Sequence, residues 1–524
     1  MTTYEPDNLL ELLHGAARKH GARPSMIVEG VPRSYDWLQE RAATLAWKLA
    51  ELAEHGERCA VLGRRSELSY VALLAILTAG QVYVPLSPHD PVSRQAEKLA
   101  QSEVHCLIVD RASLEQLATI LPQLQSVPAI LAADSSRAEV EAAGLPPQTL
   151  CAEDFTASRE FSALAPMRET DPAYLLFTSG STGKPKGVLV PRSALYDYVV
   201  HMRALLGTHE EDRFSQGFDP AFDLGIHDIL VCWASGAALI PLSDFKLRYL
   251  DQVRQHGITV WFSIPSSIAL AEKTAQLKPG SMPSLRLSLF CGEALMAQDA
   301  RAWERAASNS RILNLYGPTE ATIAVSTHDA TGSSDAEAVV PIGMPFEGNS
   351  FHLLDPETGI PAAGDEGELA IGGTQLATGY WRNTDLTAER FPTVEVDGQA
   401  VRVYRTGDRA RREGGMYRFM GRLDNEVKIH GYRIHPLEVE ATLARIADPA
   451  LAVVVARSPG RLSPIDLVGF VSPGELSADE ILKRCRAVLP NYMWPAQIHQ
   501  TVEFPRLPNG KIDRRELSAR AAQI

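Results

Sequence analysis

Nowhere in this chain of 524 residues do apolar side chains run on for the roughly 18 to 20 positions that a membrane-spanning helix needs. The opening MTTYEPDNLL has neither the basic start nor the apolar stretch of a secretory signal. The expectation is a cytoplasmic protein with no membrane partner. Cysteine is scarce: the six residues at 59, 106, 151, 232, 291 and 485 form no CxxC pair and accompany no paired histidines, which argues against a disulfide framework and a structural zinc site. They are expected to be small buried hydrophobes. Positive charge is not in excess, the formal net charge being −13, so a nucleic-acid surface is not expected. Repeats and low-complexity tracts are lacking too.

What the chain does have is length beyond one hydrophobic core and an ordinary 45% of apolar residues, so at least two domains are expected. Short apolar runs (AVLG at 60–63, CLIVD at 106–110, YLLFTSG at 174–180, VWFSIP at 260–265) alternate with helical patterns such as SYVALLAILTAG at 69–80, which stops on Gly80. That alternation predicts an α/β fold with layered, largely parallel sheets. From about residue 340 the texture becomes short strands broken by turns, as in FHLLDPETG, GELAIGG and VYRTGD, which predicts a β-rich subdomain over 340–420. From Gly421 onward 14 Lys and Arg face 12 Asp and Glu, a net +2 that leaves −15 for residues 1–420. The reading is a large N-terminal domain over 1–420, a hinge at 421–424 and a small C-terminal α+β domain over 425–524, whose charge permits an acidic partner.

The most specific chemical signal is Thr178-Ser-Gly-Ser-Thr-Gly-Lys-Pro-Lys-Gly187, directly after the apolar run YLLF. Glycines at 180, 183 and 187 let backbone amides approach an anion, the hydroxyls of Thr178, Ser179, Ser181 and Thr182 add donors, and Lys184 and Lys186 add charge. This is a phosphate cradle. A Walker A loop needs four residues between its first glycine and GK[ST]; here two intervene and Pro185 follows Lys184, so the P-loop reading fails on spacing. A flexible Gly/Ser linker is the plainer alternative, but linkers seldom carry two lysines and a proline after a buried strand.

TSGSTGKPKG resembles the signature of the adenylate-forming superfamily of acyl-CoA synthetases, luciferases and nonribosomal peptide synthetase adenylation domains. Further runs similar to that family's motifs follow in order: Asn314-Leu-Tyr-Gly-Pro-Thr-Glu320, Gly367-Glu-Leu-Ala-Ile-Gly-Gly373, Tyr404-Arg-Thr-Gly-Asp408, Gly421-Arg-Leu-Asp424 with Val427-Lys-Ile, and Leu507-Pro-Asn-Gly-Lys511. The resemblance spans about residues 5–517. It implies a mobile C-terminal domain, ATP and Mg²⁺ as cofactors, and a phosphate cradle made by Thr178, Ser179, Gly180, Ser181, Thr182, Gly183 and Lys184. It further implies that Tyr316, beside Gly317, lays its ring against adenine, whose edge is read by Asn314 and the backbone around Gly292 and Glu293. Asp408, after a Thr-Gly turn, suits two ribose hydroxyls, with Arg422 adding a contact. Thr319 would bind the α-phosphate and Glu320 the metal, a hard ion that prefers oxygen ligands. Lys511 would carry the chemistry: a carboxylate attacking a phosphate brings anions together, and a mobile ammonium touching both stabilises the charge that develops on phosphorus. No general base is needed, because the nucleophile is already ionised.

Phe222-Asp-Leu-Gly resembles the FDxS motif of amino-acid-activating members, which makes Asp223 the partner of a substrate α-ammonium and disfavours fatty and aryl acids. Phe218-Asp219 offers a second register; 222–223 is preferred because it alone sets the run Ala-Ser-Gly-Ala-Ala-Leu, ending at 239, at the family distance. Gly225 stands where the motif has serine. Carried over position by position, the pocket is Asp223, Leu224, His227, Ser267, Leu289, Cys291, Leu315, Ile323 and Ala324, with Lys511 as anchor. It is small and mainly apolar, suited to alanine, proline, serine, glycine or threonine. His227 either bonds a side-chain hydroxyl or packs in the wall. The run at 288–295 is also similar to that of D-alanine carrier-protein ligases, which leaves chirality open.

In the hinge region Glu426 replaces the family's usual glutamine, His430 an arginine, and His435-Pro436 an acidic stretch. Asp424 is the expected hinge residue, and Gly431 is expected to suit close passage of a pantetheine arm. The chain ends seven residues after Leu517 without a carrier or condensation motif, so a freestanding ligase is expected, handing its product to a phosphopantetheinylated carrier protein in trans. An acyl-CoA synthetase using free coenzyme A and a catalytically inactive adenylate-binding protein remain as alternatives. Asp223 speaks against the first; Lys511, Asp408 and Glu320 together speak against the second.

Overall fold

Short runs of β-branched and aromatic residues pair into two large, mostly parallel sheets. The computed structural model describes residues 8–155, 168–180, 184–243, 248–333, 338–424, 426–447, 451–457, 465–507 and 512–524. Among these, a nine-stranded sheet runs in spatial order Met344–Pro345, Ser326–Asp329, Arg311–Tyr316, Leu287–Phe290, Val260–Ser263, Arg213–Gln216, Ala238–Pro241, Pro24–Val28 and Val31–Ser34. An eight-stranded sheet runs Gly379–Tyr380, Lys186–Pro191, Pro172–Thr178, Val82–Leu86, Arg58–Leu62, Cys106–Val109, Ala129–Ala132 and Leu150–Cys151. The strands expected at 60–63, 106–110, 174–180 and 260–265 are among them. The helix expected at 69–80 is Glu67–Thr78, capped by the Ser66 side chain and followed by Gly80 at φ +73°.

Helices Leu9–His20, Tyr35–Leu52, Glu67–Thr78, Arg192–Leu206 and Asp223–Ala234 lie between the two sheets. They share one core with Met26, Phe214 and Leu289 of the first sheet and Val61, Tyr174 and Val188 of the second. Helices Tyr249–His256, Ser266–Lys273 and Ala297–Ala306 cover the outer face of the nine-stranded sheet around Trp261 and Trp303. Val92–Ser102 and Leu114–Ile120 cover the other outer face. The layers therefore alternate helix, sheet, helix, sheet, helix. Every residue of Asp223–Ala234 is buried, so this helix has no solvent side, which explains why its sequence lacks an amphipathic stripe.

The β-rich stretch is an antiparallel sheet of Asn349–Leu354, Glu366–Gly373, Gln399–Glu413, Thr393–Val396 and Met416–Arg422. Gly421 and Arg422, expected in the hinge, form the end of its last strand. Beyond them the chain builds a hairpin of Val427–Ile429 and Tyr432–Ile434, and a three-stranded sheet of Ala452–Arg457, Asp466–Val471 and Pro495–Gln500 with helices Pro436–Ala447, Ala478–Val488 and Arg514–Gln523. Two apolar clusters drawn entirely from residues 427–521 support this part. All six cysteines are buried. No helix among the described residues is long and apolar enough to cross a membrane.

Gly343 bridges to Tyr417 at the seam between the nine-stranded and antiparallel sheets. Its φ is +77°, and a Cβ there would sit 1.8 Å from the Thr327 carbonyl oxygen. Gly343→Ala is expected to destabilise the seam by at least about 2 kcal/mol, through backbone strain and a clash that no rotamer relieves. A thermal melt followed by near-ultraviolet circular dichroism checks this; a melt coinciding with that of the parent protein would refute it.

Candidate active site

The segment after strand Pro172–Thr178 turns straight back into the antiparallel strand Lys186–Pro191, with Thr178 opposite Lys186, so the cradle joins two strands rather than a strand and a helix. Ser181, Thr182 and Gly183 lie outside the described residues, as does Lys511. Ser179 donates its hydroxyl to the Arg433 carbonyl at 2.5 Å, the Thr178 hydroxyl is buried without a partner among the described residues, and Lys184 is exposed. Lys186 differs from expectation. Instead of a loop cation it is a buried strand residue 3.3 Å from Glu320, held below its ordinary pKa by burial and by Arg433.

Glu320 sits in the one-turn helix Thr319–Ala321 with no exposure to water. The next residues, Thr322 and Ile323, have φ of +54° and +71°, a strained conformation for β-branched side chains. Gln375 holds them there by donating to the carbonyls of Thr322 (3.3 Å) and Ala324 (2.8 Å) while its own carbonyl accepts from the Thr322 hydroxyl at 2.7 Å. Burial alone would raise the Glu320 carboxyl; Arg433 at 3.3 Å, Lys186 and the Tyr380 hydroxyl at 2.7 Å outweigh it and bring it to about 2.

Asn314 and Tyr316 share a face of strand Arg311–Tyr316. The Asn314 amide donates to the Pro341 carbonyl at 2.8 Å, while its own carbonyl oxygen is buried and unpartnered among the described residues, an acceptor suited to an exocyclic amine. The Tyr316 hydroxyl donates to Asp408 at 2.5 Å, and Lys428 stands 5.7 Å from the centre of its ring. Asp408 and Arg422 are cross-strand neighbours joined at 2.6 Å. Arg422 also forks onto Asp424 with both bonds at 2.7 Å. Gly317 leaves room for the returning chain: a Cβ would lie 2.5 Å from the Ala324 Cα.

Asp223 opens its helix and is buried; desolvation pushes its carboxyl up to about 6, against a hydrogen bond from Thr319. Among the described residues no cation pairs with it. Asp219, the other register, is spent in its own loop, accepting from Ser87 at 2.5 Å and from the Ala221 amide at 2.9 Å. Gly225 is glycine where a Cβ would stand 3.2 Å from the Asp219 carbonyl. A cavity of about 100 Å³ is lined by Asp223, Leu224, Cys291 and Ile323 together with Thr319, Asp408 and Arg422. Ser267 instead bonds Ser263 and the Ile264 carbonyl beside a larger cavity. His227, Leu289, Leu315 and Ala324 pack behind the wall. His227 does not line this cavity; it is neutral, lowered to about 3 by burial, with Tyr198 at 2.7 Å from Nδ1, while its Nε2 is buried without a partner among the described residues.

The hairpin Val427–Ile434 reaches into this cleft. The Gly431 amide donates to Glu293 at 2.9 Å, and a Cβ on Gly292, at φ +91°, would stand 3.5 Å from the Gly431 Cα. Tyr432 stacks on Tyr492 at 3.8 Å and meets Phe222 edge-on, and Glu438 pairs with Arg94. A cavity of about 1350 Å³ runs alongside, bounded by Ile264, Ser266, Lys428, Gly431 and Tyr492. Arg433, Tyr380 and Gln375 were not singled out from sequence. Arg433 had a signal in its motif neighbourhood; the other two had none.

Residues 13–381 match the family model for AMP-binding enzymes. The chain belongs to that family. Novobiocin biosynthesis protein H of Streptomyces niveus is 32% identical over 520 residues, covering 97% of this chain and 82% of that protein. Surfactin synthase subunit 2 of Bacillus subtilis is 32% identical over 512 residues, covering 96% of this chain, which spans only 13% of that relative. The Vibrio cholerae adenylation domain AlmE, solved in complex with glycyl-adenosine-5'-phosphate, superposes with a TM-score of 0.87 at 29% identity over 100% of this chain and 99% of that one. The chain is thus an adenylate-forming enzyme, and its nucleotide is ATP.

In such an AMP-binding enzyme Mg²⁺ is tested by the donor set. Among the described residues no three His, Cys, Asp or Glu side chains converge on one point, so the ion would rely on Glu320 and on substrate phosphates, a mode that suits Mg²⁺. That carboxylate is free for it only when Arg433 stands elsewhere.

Asp223 should titrate near pH 6. Because its folded pKa lies above the ordinary 3.8, the group stabilises the fold below that value and the contribution is lost as pH rises through about 6. The difference in stability between the parent and Asp223→Asn should shift by about 2 kcal/mol between pH 4 and 7, in favour of the variant at higher pH. Calorimetry of both proteins across that range checks it; a pH-independent difference would refute it.

Proposed function

We propose that the chain activates the carboxylate of a small amino acid with ATP, forming an aminoacyl-adenylate and pyrophosphate, and then passes the acyl group to the phosphopantetheine thiol of a separate carrier protein. Asp223 carries this reading: it is a buried carboxylate lacking a cation among the described residues, in a cavity that Thr319, Asp408 and Arg422 also line. A substrate α-ammonium would supply the missing charge. Leu224 and Ile323, bulky apolar residues that line this cavity with Asp223, support a small side chain. The glycyl-adenylate bound by AlmE, and a relative named dimodular nonribosomal peptide synthase at 31% identity, support an amino acid as the acyl group.

In the first step a substrate carboxylate oxygen bonds to the α-phosphorus as the bond to pyrophosphate breaks. Lys511 is assigned to the charge on the reacting carboxylate and phosphate, Asp408 and Arg422 to the ribose, and Asn314 and Tyr316 to the base. Glu320 would hold Mg²⁺, which when bound offsets the charge of the departing pyrophosphate. In the second step the thiolate sulfur bonds to the acyl carbon and AMP leaves. The domain over 425–524 is assigned the movement that exchanges Lys511 for Gly431 around a hinge at Asp424.

Amino-acid-dependent pyrophosphate exchange is expected to be strongest for alanine, glycine, serine, threonine or proline, and negligible for phenylalanine, tryptophan and fatty acids. Asp223→Ala should lower kcat/KM by about two to four orders of magnitude, as for any buried pair deprived of one partner. Asp219→Ala should cost far less. Lys511→Ala should abolish exchange yet still transfer a supplied aminoacyl-adenylate to a carrier. Strong exchange with an aromatic amino acid would overturn the pocket assignment, and efficient thioester formation on free coenzyme A alone would select the acyl-CoA synthetase reading.

A further inference from the structure

Glu320 already has two cations. Lys186 reaches it from its strand at 3.3 Å, and Arg433 reaches it from the hairpin with Nη1 at 3.3 and 3.4 Å from the two carboxylate oxygens. Arg433 is itself mostly covered, its side chain 15% exposed, and firmly held: Nε donates to Glu426 at 2.6 Å, Nη1 to the Tyr404 hydroxyl at 3.2 Å, and its carbonyl accepts from Ser179 of the phosphate cradle. Glu426 takes a second guanidinium on the same oxygen, from Arg422 at 2.5 Å. Burial would raise the Glu426 carboxyl, but Arg433 and Arg422 outweigh it and keep it ionised.

We propose that Arg433 is the chain's own substitute for the metal at Glu320, carried there by Glu426, so that Mg²⁺ and the inserted hairpin exclude one another. This rests on the adenylation reading above. The physical reason is electroneutrality in a site closed to water. A fully buried carboxylate keeps its charge only beside a cation, and Lys186, itself desolvated, supplies a partial answer. A divalent ion placed on Glu320 while Arg433 and Lys186 remain would crowd three cations around one carboxylate, so Arg433 must withdraw, taking the hairpin with it. With Arg433 on Glu320, the hairpin holds Gly431 against Gly292 and Glu293. Glu426 is the residue that gives this exchange its strength. A glutamine at 426, usual in the resembling family, would offer a neutral oxygen to two guanidinium groups where an ionised carboxylate now accepts both.

The test is hydrogen exchange of the full-length protein read by mass spectrometry over residues 426–435, with saturating α,β-methylene-ATP and increasing Mg²⁺. In the parent protein exchange should be slow without Mg²⁺ and rise as it is added. Arg433→Ala should exchange fast at every Mg²⁺ concentration. Glu426→Gln, and Arg433→Lys, which keeps the charge but loses the fork spanning both carboxylates, should fold normally and reach half-maximal exchange at about tenfold less Mg²⁺, the effect of losing one charge-assisted hydrogen bond. Exchange unmoved by Mg²⁺ in the parent, or a midpoint in Glu426→Gln equal to or above the parent's, would overturn the proposal. A Mg²⁺-dependent rise together with no pyrophosphate exchange for any amino acid would instead sink the adenylation reading and leave this one standing.

Discussion

An ionised carboxylate sealed from water must have a cation beside it, and much of the cleft is arranged around that requirement at Glu320. The strand that follows the phosphate cradle brings Lys186, the edge strand Gly379–Tyr380 brings a hydroxyl, and the hairpin brings Arg433. From Arg433 the ion pairs continue through Glu426 to Arg422 and end on Asp408 and Asp424. One chain of alternating charges thus ties the eight-stranded sheet, the antiparallel sheet and the C-terminal hairpin together. Even the left-handed Thr322 and Ile323 serve it, since the tight return they make buries Glu320 at the head of its one-turn helix.

Asp223 presents the opposite case within the same cleft. It shares burial with Glu320 but not company, and the two carboxyls are driven apart, to about 6 and about 2. Two acids whose surroundings separate their proton affinities suit different roles: one is an anion already neutralised by the protein, the other has no cation beside it among the described residues. The middle layer of the fold makes this possible, because a helix start enclosed by two sheets gives Asp223 no water to fall back on.

Much of the scaffold was legible because its signals are local. A short β-branched run or a Ser66 cap depends on neighbours along the chain, and the strand preceding the cradle could be read together with the cradle's glycines. The glycine at 225 becomes intelligible once the Asp219 carbonyl is seen beside it. The partners of Glu320 were not legible: Tyr380 lies 60 residues away and Arg433 lies 113 away, and nothing in either local sequence encodes such pairings. Lys186 was misread as a loop cation for a related reason, since charge beside a glycine-rich turn does not reveal that strand pairing opposite Thr178 turns the side chain inward. The contact of His227 with Tyr198, on a different helix, is likewise a pairing that no local sequence encodes.

The nine-stranded sheet carries a consequence for how the chain is made. Its strand Pro24–Val28 finds its neighbour in Ala238–Pro241, while the strands between them in sequence belong to the other sheet or lie further along this one. At ribosomal rates of about 5 to 20 residues per second, the first strand and its hairpin partner Val31–Ser34 wait roughly 10 to 40 seconds for that neighbour to emerge. Throughout that interval Met26 and Val28, both buried in the finished protein, have only the adjoining helices to shelter them. Among the strand pairings, birth order and spatial order disagree most at this edge.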